Sequence, residues 1–212
     1  SPAQQRLYMV AQIDETGIAY NLPCVYEIKG MIEVERFENA AKGLVRRHEI
    51  LRTSFAMVNG EPVQTISKDA HVALEFVNAE KEEIDEILKG FVRPFDLSRA
   101  PLMRVMVINT GDNSSLLLLD MHHIIADGIS MNVLLDELSC LYGNCTLPEL
   151  RVQFKDYCEW LKTVDTTAQG EYWKEMFSDE VPVLNMPLDY RRPSVQSFRG
   201  RAVADFIQGE LA

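Results

Sequence analysis

Four consecutive leucines, Leu116 to Leu119, run without a break through Asp120 and Met121 into His122-His123-Ile124-Ile125-Ala126-Asp127-Gly128. A strand with one wet face alternates apolar and polar residues, so this continuous run predicts a strand over Ser115 to Met121 that is covered on both faces. Directly after it, Ser130 is placed to cap a helix in which Met131, Leu134, Leu135, Leu138, Leu141 and Tyr142 form one apolar stripe, closed by Gly143. A buried strand that gives way at once to a capped helix presents its last side chains at the rim of a crevice, on rigid support.

The rest of the chain reads as strands and helices in mixed order. Ser1-Pro2 is a helix start, with Ser at the cap and Pro at the first helical position, leading a run to about Ile13. Leu22 to Lys29 reads as a strand, and Val34, Phe37, Ala41, Leu44 and Val45 recur at helical spacing up to about His48. Asn59-Gly60 is a hairpin turn between strands Leu51 to Val58 and Glu61 to Ile66. A strand over Val72 to Val77 and a charged helix over Lys81 to Phe91 follow. Leu102 to Ile108 then pairs with the leucine strand around Thr110-Gly111-Asp112-Asn113. Helical segments are expected at Phe154 to Leu161 and Gln169 to Phe177, a connector is marked by Pro182, Pro187 and Pro193, and a final strand is expected at Arg201 to Ile207. Hairpins mixed with helices in this way indicate an α/β fold, a two-layer sandwich of a mixed sheet and helices.

Composition excludes several classes of function. The 212 residues suffice for one sizeable core, and 47% hydrophobic with 25% charged residues is the balance of an ordinary globular protein. A formal charge of -11 and the lack of any basic run argue against a nucleic-acid partner, whose phosphates are held mainly by Lys and Arg. No apolar stretch approaches the ~20 residues that cross a bilayer, and Ser1 is not followed by a leader pattern, so a cytoplasmic protein is expected. Cys24, Cys140, Cys145 and Cys158 form no C-x-x-C pair and read as reduced thiols.

The chemistry-bearing candidates lie between the leucine strand and the helix. A histidine there can take a proton from an attacking amine or hydroxyl, because its ordinary pKa lies near working pH. Asp127 can turn back to fix the loop, and Gly128 lets backbone or ligand approach closely. Read on residues alone, the same cluster also fits a structural histidine pair or part of a metal site, although His48 and His71 offer no third ligand at helpful spacing. Tyr157, Trp160 and Trp173 are expected to pack, Tyr8 and Arg6 to be structural, and Glu80, Glu82, Glu83, Asp85 and Glu86 to form a solvated helix face.

His-His-x-x-x-Asp-Gly at His122 to Gly128 resembles the active-site motif of condensation domains of nonribosomal peptide synthetases, in the chloramphenicol acetyltransferase-like superfamily. Four further stretches are similar to the same family in order: Ser1 to Tyr8, Arg47 to Phe55, Phe154 to Trp160 (with Phe154 and Cys158 where Tyr and Ala are more usual) and Arg192 to Gly200. The resemblance implies one lobe of a two-lobed domain, with residues 1–180 as the N-terminal lobe and 181–212 as a connector and first strand leading into a C-terminal lobe that is missing here. It implies peptide-bond formation between a donor acyl or peptidyl thioester and an acceptor aminoacyl thioester, an activity the isolated fragment is expected to lack.

By the same resemblance the active-site set is His123, His122, Asp127 and Gly128, with His123 the catalytic residue, His122 supporting the strand-to-loop geometry and Asp127 paired with an arginine, either Arg47 or Arg52. No cofactor or metal is expected on the lobe; substrates would arrive on the phosphopantetheine of upstream donor and downstream acceptor peptidyl carrier proteins, with an adenylation domain and the missing lobe as further partners and no membrane partner. The wording of the motif leans towards an L-configured donor. The alternatives are an epimerization domain, which usually carries Trp where Met131 follows Ser130, a coenzyme A-dependent acyltransferase of the same superfamily, and a noncatalytic interaction lobe.

Overall fold

In a computed structural model the described residues are 1–13, 16–111 and 113–194. They fall into two compact units, the first Ser1–Val164, the second beginning at Asp165. The strand expected at Arg201 to Ile207 lies outside the described residues, as does the end of the Arg192 to Gly200 stretch.

The first unit opens with α1 (Pro2–Ala11), whose Ser1 and Gln4 form a reciprocal capping box, as Ser-Pro at a helix start suggests. β1 (Asn21–Lys29) and α2 (Val34–Arg47) follow. The next strand starts later than expected, because Glu49–Arg52 winds into a 3-10 turn before β2 (Thr53–Val58). β2 pairs with β3 (Glu61–Ile66) as a separate two-stranded sheet, with Asn59 and Gly60 both at positive φ, which the two-residue turn demands. β4 (Leu74–Asn78), α3 (Ile84–Phe91), β5 (Met103–Asn109), β6 (Ser114–His122), α4 (Gly128–Tyr142) and α5 (Phe154–Thr163) complete the unit.

The main sheet has the order β1-β6-β5-β4, antiparallel except for the parallel β4–β5 pair. It is the mixed sheet expected, with the leucine strand inside it. Because side chains alternate along a strand, β5 and β6 feed two separate cores. Val105, Val107, Leu117, Leu119 and Met121 pack with Phe37, Leu44, Met131 and Leu134 of α2 and α4. Met106, Ile108 and Leu118 pack with Phe91 and the partly buried Ile87 and Leu88 of α3. Burying a leucine side chain in this way contributes about 1.5–3 kcal/mol, and β6 is buried without a break from Leu117 to His122.

α3 covers only part of the second face, and on β1 that face carries the exposed Pro23, Val25 and Glu27. The acidic run around α3 is solvent-exposed, as charge patterning indicates. In the second unit α6 (Thr167–Met176) places Trp173 against Tyr172 and Phe177, but all three rings are more than half exposed. On α5, Phe154, Tyr157 and Trp160 form a ladder of rings 5.7–5.8 Å apart with Tyr157 and Trp160 exposed. These aromatics do pack, as expected, but on neighbouring rings of their own helices rather than against the core.

Candidate active site

Strand alternation decides the fate of the two histidines. His122 is the last residue of β6 and falls on the same face as Leu118 and Asp120; it is 4% exposed. Its Nδ1 accepts from the Ile124 N–H at 3.1 Å, which requires that nitrogen to be without a proton, and its ring meets Phe95 edge-on at 6.3 Å. His123 lies one residue beyond the strand and is exposed, while its backbone N–H is tied to Tyr20 O at 2.8 Å. The main chain at His123 is thus fixed while its side chain is exposed.

What it opens onto is a cleft of about 710 Å³ within the first unit, lined by His123, His48 and mostly apolar side chains including Ile129, Val133, Leu150 and Tyr157. That volume suits a small organic substrate or the end of a tethered one. A histidine at the edge of such a cleft can take a proton from, or give one to, a group bound beside it.

Asp127, not Ser130, is the cap of α4. Its Oδ1 accepts from Ser130 N at 2.8 Å and from the Ser130 hydroxyl at 2.6 Å. These hydrogen bonds hold the Asp127 carboxyl below the usual carboxylate range, with nearby His123 adding a smaller effect. Gly128 is the first helical residue and exposed; a Cβ there would meet nothing within 4 Å, so no close approach within the described chain requires glycine.

The expected Asp127–Arg pair is corrected by the structure. Arg47 donates from Nε to Glu137 at 2.9 Å and from Nη1 to Pro148 O at 2.6 Å. Arg52 donates to Ser67 O at 2.8 Å and lies 3.7 Å from Glu49. The reason is distance along α4: at 1.5 Å per residue, Glu137 is about 15 Å beyond Asp127, so an arginine anchored at that level cannot reach the cap. Glu137 also contacts His48 Nε2 at 2.6 Å, and Arg47 and His48 together keep its carboxyl low despite burial. Arg47 and its partners brace the α2–α4 side of the cleft.

Several residues around the site were not anticipated. Gln4 is buried and donates to Ile124 O at 3.1 Å, joining α1 to the histidine loop. Asp120, with no exposed side-chain surface, accepts from Arg104 at 2.8 Å and Asn21 at 2.9 Å. A signal for this pair was present: a lone carboxylate and a lone guanidinium interrupt two apolar strands, and the hairpin register sets Arg104 directly opposite Asp120.

A family model for the condensation domain matches residues 1–210. Bacitracin synthase 3 of Bacillus licheniformis is 46% identical over 215 residues, covering 100% of this chain and 3% of that protein. Gramicidin S synthase 2 of Brevibacillus brevis is 46% identical over 204 residues, covering 94% of this chain and 5% of that protein. Among solved structures, the X-domain in its complex with OxyB from teicoplanin biosynthesis is similar with a TM-score of 0.82 and 26% identity, covering 92% of this chain and 46% of that one. The chain therefore spans a small part of these synthases and just under half of the solved chain. With residues of four of the five motif segments lining one cleft and the family match running over nearly all its length, the chain belongs to the condensation-domain family.

Proposed function

We propose that this chain forms the N-terminal half of a condensation site that joins two carrier-bound acyl groups through an amide bond. The acceptor amine attacks the donor thioester carbonyl; the C–N bond forms, the C–S bond breaks, and the proton lost by the amine ends on the departing thiol. His123 positions the amine and carries that proton. The observation that supports this reading is the contrast between the two histidines: His122 is sealed with Nδ1 engaged, whereas His123 stands exposed on an apolar cleft.

Donor and acceptor would arrive on the phosphopantetheine arms of carrier proteins, loaded by an adenylation domain, with the second lobe closing the other side of the cleft. Residues 1–212 alone supply one wall, and losing the geometry that holds two reactants together removes most of the rate advantage, so the isolated chain is expected to make no product. The test is reconstitution of the full-length domain with loaded donor and acceptor carrier proteins, read by mass spectrometry. A His123→Ala domain that forms product at the parent rate overturns the assignment. The likeness to an X-domain solved with OxyB favours a second reading, an interaction lobe; stable binding of a partner protein by a full-length domain that forms no amide would select it.

A further inference from the structure

We infer that Arg104, locked to Asp120, is a positioning residue for the His122–His123 turn. This rests on the condensation reading of the site. The guanidinium makes three hydrogen bonds: to Asp120 Oδ2 at 2.8 Å, to Arg93 O at 2.6 Å and to Pro94 O at 2.5 Å. Its Cζ lies over the Phe95 ring, 3.6 Å from the centroid, and Phe95 in turn meets His122 edge-on. From the other side, Asn21 donates to the same Asp120 oxygen and to Arg93 O. Asn21 is paired across the sheet with His122, and the preceding residue, Tyr20, holds the His123 N–H. One cluster thus joins the start of β1, the end of β6 and the 93–95 segment; His122, which precedes His123, lies in it, and Tyr20, which holds the His123 N–H, is bonded in sequence to its member Asn21.

The energetics indicate position rather than stability. Burial pushes the Asp120 carboxyl above its usual range even with Arg104 beside it, and burial lowers the Arg104 guanidinium in turn. The second carboxylate oxygen, Oδ1, has no hydrogen-bond partner among the described residues. An ion pair whose attraction does not repay its desolvation is a poor source of stability, and apolar replacements of similar volume are often tolerated. What an apolar pair cannot replace is a planar donor that satisfies three acceptors at fixed angles and still stacks on a ring.

The experiment uses the full-length domain with its carrier proteins and compares Arg104→Lys with the double variant Arg104→Met/Asp120→Leu. Lysine keeps the charge but loses the fork and the stacking. Both variants should lose roughly tenfold or more in kcat, the scale of a slightly misaimed reacting group, with KM for the acceptor carrier within about twofold and, for the double variant, a melting temperature close to the parent. Parent kcat in Arg104→Lys, or a loss that vanishes once the double variant regains its melting temperature, overturns the inference. His123→Ala, run in parallel, separates the two claims: if it retains the parent rate the condensation reading fails, whereas if it is inactive while both Arg104 variants turn over normally only the positioning role fails.

Discussion

The end of β6 has two sides that differ in almost every physical respect. On one, Asp120, His122, Phe95 and Arg104 are packed together and hydrogen-bonded, and burial raises the Asp120 carboxyl. On the other, His123 and Asp127 are exposed, and hydrogen bonds from Ser130 lower the Asp127 carboxyl. The two adjacent histidines receive opposite environments because His122 ends β6 on a buried face and His123 falls just beyond it, and the two aspartates differ because Asp120 lies inside β6 whereas Asp127 caps α4. The difference teaches that the sealed side fixes a geometry which the open side uses.

The largest expected effect breaks the open side. In the full-length domain, His123→Ala should lower kcat by about 10²-fold or more, the usual range for a lost proton-transfer group, with an unchanged melting temperature; carrier-bound product measured by mass spectrometry checks it. On the sealed side, removing one partner of the ion pair should cost stability as well. Asp120→Ala strands the Arg104 charge and should destabilise by about 3–5 kcal/mol, read by chemical denaturation.

Asp127 is worth less. Its replacement by Ala removes a helix cap in solvent and should cost about 1 kcal/mol, well below the loss for a buried ion pair; a melting temperature depressed as far as that of Asp120→Ala would show that Asp127 is held by more than its cap.

The smallest effect concerns pH, and the two aspartates should differ in sign. With its folded pKa lowered, Asp127 adds stability that is present above the unfolded value of 3.8 and lost as pH falls through the lower folded value. With its folded pKa raised, Asp120 binds a proton more readily in the folded chain, so the cost of its charge fades as pH falls through that raised value towards 3.8. Acid-unfolding curves of Asp127→Asn and Asp120→Asn, each set against the parent, should therefore move apart in opposite directions; parallel curves would show that the two environments are alike.

Much of this was legible from local pattern. The leucine run marked the buried strand, Asn59-Gly60 marked the hairpin, and the stripe from Met131 to Tyr142 marked α4, since each signal depends on neighbours within a few residues. The motif resemblance pointed to His123, which the structure places among the residues lining the cleft. Less legible was the exposure of Tyr157 and Trp160: their type suggests packing, but which face of α5 meets the core depends on elements far away in sequence.

By itself, then, the sequence determined the order of strands and helices, the double burial of β6 and the identity of the residues at its end, because periodicity and turn chemistry are local. Only the tertiary structure decided which arginine meets which acid. Arg47 took Glu137 rather than Asp127, and Arg104 took Asp120, because pairing follows the level at which α2 packs on α4 and the register of β5 on β6. A charge can reach only a few ångströms, and those ångströms are set by packing between distant parts of the chain.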